Sequence, residues 1–190
     1  KFIANYITSG SRDWGSLYSD EGELFVRIGN VSGSGIDLDL RRKTYVQLGD
    51  RTEGLRTRLR VGDLLVSITA DLGSVSVVDQ EAAGAYINQH LALVRLRRSQ
   101  VDPRYVAHAM ITQAASDQFA LRGYGGTKQG LSLKDIAEIA IPLPAKGEQE
   151  RIVKQIDQFT SLQRVTSEKI NASIDRLKEY RSALITAAVT

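Results

Sequence analysis

The chain has 190 residues, a net charge of +3 and an apolar share of 42%, enough for one domain with a real core plus an appendage. It holds no cysteine, which removes disulfides and thiolate metal sites and suits a reducing cytoplasm. The opening KFIANYITSGSRDW lacks a basic flank followed by an apolar run, and no stretch approaches membrane-spanning length, so the expectation is a soluble, cytoplasmic protein.

In chain order, the first polar loop is SGSRDWGS at Ser9–Ser16, which sets Arg12 and Trp14 among small residues. A lone Trp is more often a core or hinge anchor than a platform for a base. Leu24–Ile28 reads as a strand, with Arg27 and Asn30 flanking Gly29 at its end. Arg41, Arg42, Lys43, Arg51, Arg56, Arg58 and Arg60 then outnumber Asp50 and Glu53. Leu64–Thr69, Ser74–Val78 and Leu91–Leu96 are further Val/Ile/Leu-rich runs bounded by Gly, Asp or Ser, and read as strands. Ser67 and Thr69, ahead of Asp71 and Gly73, suit either a backbone contact or a satisfied turn. His90 and His108 have no cysteine or third histidine near them, so no metal site is expected, and His90 reads as filling a buried strand position.

A second basic group is Arg95, Arg97, Arg98 and Arg104. Each arginine alone reads as part of a solvated face; together the groups suit phosphate neutralisation, which positions a duplex without reading its sequence. Asp102-Pro103 reads as a cap and first helical residue, with one helix running to about Phe119. Regular helices do not separate the strands, so a doubly wound parallel sheet is excluded in favour of an α+β domain with a mixed sheet.

A second permissive loop follows, in which Thr127, Lys128 and Gln129 lie between Gly126 and Gly130, and Tyr124 between Gly123 and Gly125. Arg12, Lys128 and Gln129 are the favoured DNA-contacting side chains, because base readout uses long planar donors and carboxamides on reaching loops. Ser132 and Asp135 form a capping box for a short helix. Ile139, Ile141 and Leu143 alternate with Ala140, Pro142 and Pro144, an edge-strand pattern in which proline withholds a ladder donor. Gly147 serves as N-cap of a long helix, with Glu148 and Glu150 favoured by its dipole. The expected division is therefore 1–147 for the domain and 148–190 for the helix.

Along that helix Ile152, Ile156, Phe159 and Leu162 share a stripe that Ile170, Ile174, Leu177 and Leu184 resume. Between the two halves only Val165 is apolar, so a bend or polar contacts are expected there. About 40 residues span roughly 60 Å, against a diameter near ~40 Å for a body of about 15 Å radius of gyration. The distal stripe then finds a second helix, from another copy or from the other half of a longer protein, or stays exposed at a cost.

The blocks KQGLSLKDIAEIAIPLP, EQERIV and LKEYRSALITAAVT, with SGSRDWGS, FVRIGNV, GDLLVSITADLGSVSVV and INQHLALVRL upstream, together resemble the specificity subunit of type I restriction-modification enzymes. They match one target-recognition domain with its spacer helix, over nearly the whole chain. Ala145-Lys146-Gly147 departs from the proline and leucine that more often precede the family's Glu-Gln pair. The resemblance implies a double-stranded DNA-binding subunit that reads half of a bipartite site, and partners that include methyltransferase and restriction subunits. It also implies an antiparallel coiled coil with a second copy or with the second half of a longer subunit. The DNA-binding set is Arg12, Trp14, Arg27, Asn30, Arg41, Arg42, Lys43, Thr69, Tyr124, Thr127, Lys128 and Gln129.

No catalysis and no cofactor are expected. No Asn-Pro-Pro-Tyr-like motif for a flipped base, no Pro-Asp nuclease motif and no Gly-Lys-Ser/Thr phosphate loop occurs. The rival reading is a protein-binding scaffold built on the helix.

Overall fold

The computed structural model describes residues 2–31, 35–49, 54–123 and 130–189. The chain divides into Lys1–Gln149 and Glu150–Thr190. Eight strands come first: β1 Ala4–Ser9, β2 Tyr18–Ser19, β3 Glu23–Val26, β4 Tyr45–Val46, β5 Leu64–Ser67, β6 Val75–Val77, β7 Tyr86–Ile87 and β8 Leu91–Leu96. Four α-helices follow among the described residues: α1 Pro103–Met110, α2 Gln113–Arg122, α3 Leu133–Ala137 and α4 Lys146–Val189.

Two four-stranded sheets organise the first unit, in the orders β1-β8-β5-β6 and β2-β4-β3-β7. The first is antiparallel throughout. The second is mixed, because β3 and β7 run parallel while β4 runs antiparallel to both β2 and β3. The α+β expectation holds, and its physical basis is visible in β5. Leu64, Leu65 and Val66 have no exposed surface, so this strand is covered on both faces. Leu65, Leu91 and Leu93 pack on one face with Val26 and Ile87 of the second sheet, the alternation that a two-layer core demands. On the other face Val94 and Leu96 line a small apolar space with Val106 and Met110 of α1 and Ile136 of α3. Trp14, Phe25, Val46 and Tyr86 form a separate cluster on the second sheet.

The edge strand β1 and the two-residue strands β2, β4 and β7 were not legible as apolar runs. β1, ANYITS, buries only Thr8 fully, so its backbone pairing with β8 rather than a hydrophobic pattern makes it a strand.

The helix capped by Asp102 is shorter than expected. Asp102 Oδ1 accepts from the backbone N–H groups of Arg104 (2.8 Å) and Tyr105 (3.1 Å), but α1 ends at Met110 and a second helix restarts at Gln113. Thr112 causes the break: its hydroxyl donates to Ala109 O at 2.8 Å, while its extended backbone starts α2, whose Ser116 N–H donates to Thr112 O at 2.9 Å. The Ser132–Asp135 capping box is present, with Asp135 N–H to Ser132 Oγ at 3.2 Å and Ser132 N–H to Asp135 Oδ2 at 2.7 Å.

Residues 139–145 form no strand. With Pro142 and Pro144 removing two donors, side chains replace the ladder. Gln118 grips Ala140 through both ends of its carboxamide, each bond 2.9 Å long, and the Tyr105 hydroxyl donates to Pro142 O at 3.0 Å. Gly147 is not the cap of α4, because the helix already begins at Lys146 and Ala145 O accepts the first bonds, from Glu148 N–H (2.8 Å) and Gln149 N–H (3.1 Å). The buried Gln149 fixes this entry. Its Oε1 accepts from Asp102 N–H at 2.9 Å and its Nε2 donates to Pro144 O at 2.8 Å.

The second unit is helical throughout its described residues. The polar middle of α4 is unbroken and carries polar contacts, with Arg164 beside Glu168 at 3.9 Å and the Thr166 hydroxyl donating to Leu162 O at 2.9 Å. Val153, outside the expected stripe, is buried, whereas Phe159, Ile170, Ile174, Leu177 and Leu184 are exposed; Ile152 and Ile156 are intermediate. Among the described residues no helix is long and apolar enough to cross a membrane.

Candidate nucleic-acid interface

Antiparallel register brings several polar loops to one end of the first sheet. β1 ends at Ser9 opposite Ala92, and β5 ends at Ser67 opposite Leu91. The turn between β7 and β8, Asn88-Gln89-His90, is the meeting point. Gly10 N–H donates to Leu91 O (3.1 Å), Ser11 N–H to Ile87 O (3.0 Å), Asn88 N–H to Val26 O (3.2 Å) and Ile68 N–H to His90 O (3.0 Å). Thr69 in turn bridges to Gly130, and Leu131 N–H donates to Ile68 O at 3.0 Å. The residues that follow β1 and β5 and the end of β3 thus bond to this turn or to the strand residues that flank it, and the segment from Gly130 onward bonds to the loop after β5. Gly10 is demanded by this crowding, since a Cβ there would lie 2.0 Å from Asn88 O.

Arg12 is exposed in the first of these loops and has no hydrogen-bond or ionic partner among the described residues. A polar cleft of about 480 Å³ lies between this loop and Gly54 to Arg56. Arg56, which sequence reading grouped only with a basic face, holds the loop base through Thr8 Oγ1 and Ser9 O. Trp14 is a core anchor with 4% exposure, stacked on Phe25 at 5.5 Å and tilted against Tyr86 at 5.6 Å. Its ring presents no face for a base, so the expected DNA contact from Trp14 is corrected to a support role.

Asn30 requires a similar correction. It is buried, its Oδ1 accepts from Arg27 N–H at 2.9 Å, and its Nδ2 donates to Asp39 O at 2.8 Å and Arg42 O at 3.0 Å. Both of its amide protons are spent on backbone carbonyls, so it has no donor left for the N7 of adenine. Arg27 is exposed, with its guanidinium 5.5 Å from the Tyr18 ring centroid, a cation–π contact.

The basic cluster divides. Arg41 makes a bidentate pair with Asp39, Nε to Oδ1 at 2.9 Å and a second nitrogen to Oδ2 at 2.5 Å. This pairing, the side-chain hydrogen bond foremost, holds the Asp39 carboxyl down at about 2 and raises Arg41. Lys43 pairs with Glu81 at 2.7 Å, which raises the ammonium. Arg42 is exposed and its side chain is unpaired among the described residues.

The second group is committed internally. Arg95 forks onto the buried Asp63 at 2.8 and 2.7 Å, and Arg104 meets Asp37 at 3.0 Å. Arg97 donates to Asn5 Oδ1 at 3.1 Å and Arg98 to Val61 O at 3.3 Å. Arg95 and Arg104 are thus neutralised by carboxylates, whereas Arg97 and Arg98 are exposed and bond only to neutral oxygens.

Thr69 sits at the meeting point, its hydroxyl 2.9 Å from His90 Nδ1. His90 is a half-buried turn residue rather than a strand filler, with Nε2 3.2 Å from Gln89 Nε2. Gln89 and His90 are outside the expected DNA-binding set, because the turn they form just ahead of the Leu91–Leu96 strand carries no glycine or proline to mark it. Tyr124, Thr127, Lys128 and Gln129 lie outside the described residues.

Two stacked sheets, a helical layer, a long terminal helix and a polar loop cluster define a recognition domain carried on a helix. Residues 39–176 match the family described as the type I restriction modification DNA specificity domain, and the chain belongs to that family. It is 20% identical over 169 residues to the type I restriction enzyme EcoBI specificity subunit of Escherichia coli, covering 88% of this chain and 35% of that protein.

Among solved structures, a chain of a type I R-M system studied for complex assembly and conformational transition superposes with a TM-score of 0.64 and 22% identity, over 93% of this chain and 41% of its own. The HsdS subunit of Thermoanaerobacter tengcongensis gives 0.61 and 16%, over 86% of this chain and 41% of its own. The S subunit of M. genitalium gives 0.57 and 18%, over 82% and 36% respectively. These likenesses establish the fold. The chain spans well under half the length of the relatives it matches.

Proposed function

We propose that this chain is a non-catalytic DNA-reading module that recognises one half of a bipartite target. It delivers a DNA methyltransferase subunit, and in the full system a restriction subunit, to that site. The observation that carries the reading is the convergence of polar loops on the Asn88–His90 turn, with the exposed cations Arg12 and Arg27 on two of them. Family membership supports it. Phosphate contacts from Arg12, Arg27, Arg42 and Lys128 position the duplex, and groups on the converging loops read bases. The long helix is a ruler: paired antiparallel with a second helix, from another copy or from the other half of a longer subunit, it sets the gap between half-sites.

The test is duplex binding as a function of salt. Affinity falls with a logarithmic slope of about 0.9 per neutralised phosphate, and the combined Arg12→Ala, Arg27→Ala, Arg42→Ala variant lowers that slope by roughly 2 to 3. A scaffold that binds protein through its helix gives no salt-dependent duplex binding, and that result would overturn the reading.

A further inference from the structure

We propose that Gln89 is a specificity-determining residue that reads adenine in the major groove, and that His90 is the positioning residue that sets its amide. The inference rests on the DNA-reading proposal above and adds the base and the side chain.

Gln89 Nε2 lies 3.2 Å from His90 Nε2, and an amide nitrogen can only donate. His90 Nε2 therefore accepts, which leaves the ring proton on Nδ1, where it donates to Thr69 Oγ1 at 2.9 Å. Thr69 is itself fixed, since its carbonyl accepts from the Ser67 hydroxyl at 2.9 Å and its backbone bridges to Gly130. Ser67 has no exposed surface. A rigid relay from the buried end of β5 thus dictates which way the Gln89 carboxamide faces.

One Nε2 proton is consumed by His90. The other, and both lone pairs of Oε1, have no partner among the described residues. A carboxamide that offers one donor and one acceptor side by side is the complement of adenine, which presents N7 as acceptor and N6–H as donor. Gln89 sits at the apex of the turn on which the converging loops lean, with the Asn88 backbone bonded to β3 just before Arg27. Its free proton makes this arrangement different from that of Asn30, whose two amide protons are both taken by backbone carbonyls.

The experiment selects duplexes from a randomised pool with the full chain and with Gln89→Ala, Gln89→Glu, His90→Phe and His90→Gln, each checked for an unchanged thermal unfolding transition. The wild-type chain selects adenine at one position. Gln89→Ala loses about tenfold or more of that discrimination and leaves the other positions intact. Gln89→Glu, an acceptor only, shifts the preference there toward cytosine, whose N4 donates. His90→Phe weakens the same preference without changing non-specific affinity, and His90→Gln restores it because its Oε1 can accept from Gln89.

If the wild-type chain retains no duplex above background, the DNA-reading proposal itself fails. If it selects a sequence but Gln89→Ala keeps the same preference at every position, or loses preference at all positions equally, the assignment of Gln89 is overturned while DNA reading stands.

Discussion

Asp39 and Arg41 show how a basic cluster can be misjudged from residue counts. The guanidinium that suits a phosphate is held in a two-pronged grip, and the acid it neutralises is pushed to about 2 from its ordinary 3.8. A depressed carboxylate stabilises the folded state fully above its unfolded value and loses that contribution as pH falls through the folded value, so this pair acts above about pH 4 and is gone below about pH 2. Both partners face solvent, so the effect on stability is small and screened by salt.

The expected titration midpoint of Asp39 by carboxyl-detected NMR is near 2, returning toward 3.8 in Arg41→Ala. A midpoint that ignores Arg41→Ala would show that the pair does not persist in solution. The same reasoning removes Asn30 from the proposed reading surface and leaves Arg12, Arg27 and Arg42 as the cations of the described part of the expected set whose side chains make no hydrogen bond or ion pair among the described residues. Types and spacing identify only which side chains carry the donors and charge that DNA contact would use. Whether a neighbouring carboxylate or carbonyl has already engaged them depends on pairings such as Asn30 with Asp39 and Arg42, which no local pattern encodes.

At the scale of elements, Gln149 gives the Glu-Gln pair at the start of α4 a physical reason. It ties the helix entry to Asp102, the cap of α1, and to Pro144, the last proline of the extended segment. Gln149→Ala leaves a buried N–H and a carbonyl without partners, at an expected cost of about 2 to 3 kcal/mol. Denaturant unfolding of the first unit checks this; a loss below about 0.5 kcal/mol would mean that water replaces the amide. Gln149→Glu is expected to be no milder, because a second acceptor then faces Pro144 O.

The long runs of β5 and β8, the Asp102 cap, the Ser132–Asp135 box and the long helix were legible because period, capping chemistry and apolar runs are local properties. The break at Thr112, the unladdered 139–145 segment and the short strands were not, because each is decided by a partner distant in sequence.

At the scale of the whole molecule, the stripe Phe159, Ile170, Ile174, Leu177 and Leu184 leaves more apolar surface in water than an isolated helix comfortably carries, with exposures from 43% to 69%. In the proposed pairing, Ile174→Asp with Leu177→Asp yields a monomer by sedimentation while the β-sheet signal is kept. A wild-type chain that remains monomeric with an intact helix would count against self-pairing and point to the second half of a longer subunit. If two identical copies pair, their target is an inverted repeat with a gap, and an asymmetric target for the isolated homodimer would sink the ruler.

The sequence by itself determined an α+β domain followed by a long helix, since these follow from periodicity and capping along one chain, and its ordered blocks carried the resemblance to the family. Tertiary structure alone decided that Trp14 and Asn30 support the domain, that Arg95 and Arg104 are already paired, and that Gln89 and His90 stand where the loops converge. Burial, hydrogen-bond saturation and convergence are relations between residues far apart in the chain, and they come into being when the sheets close.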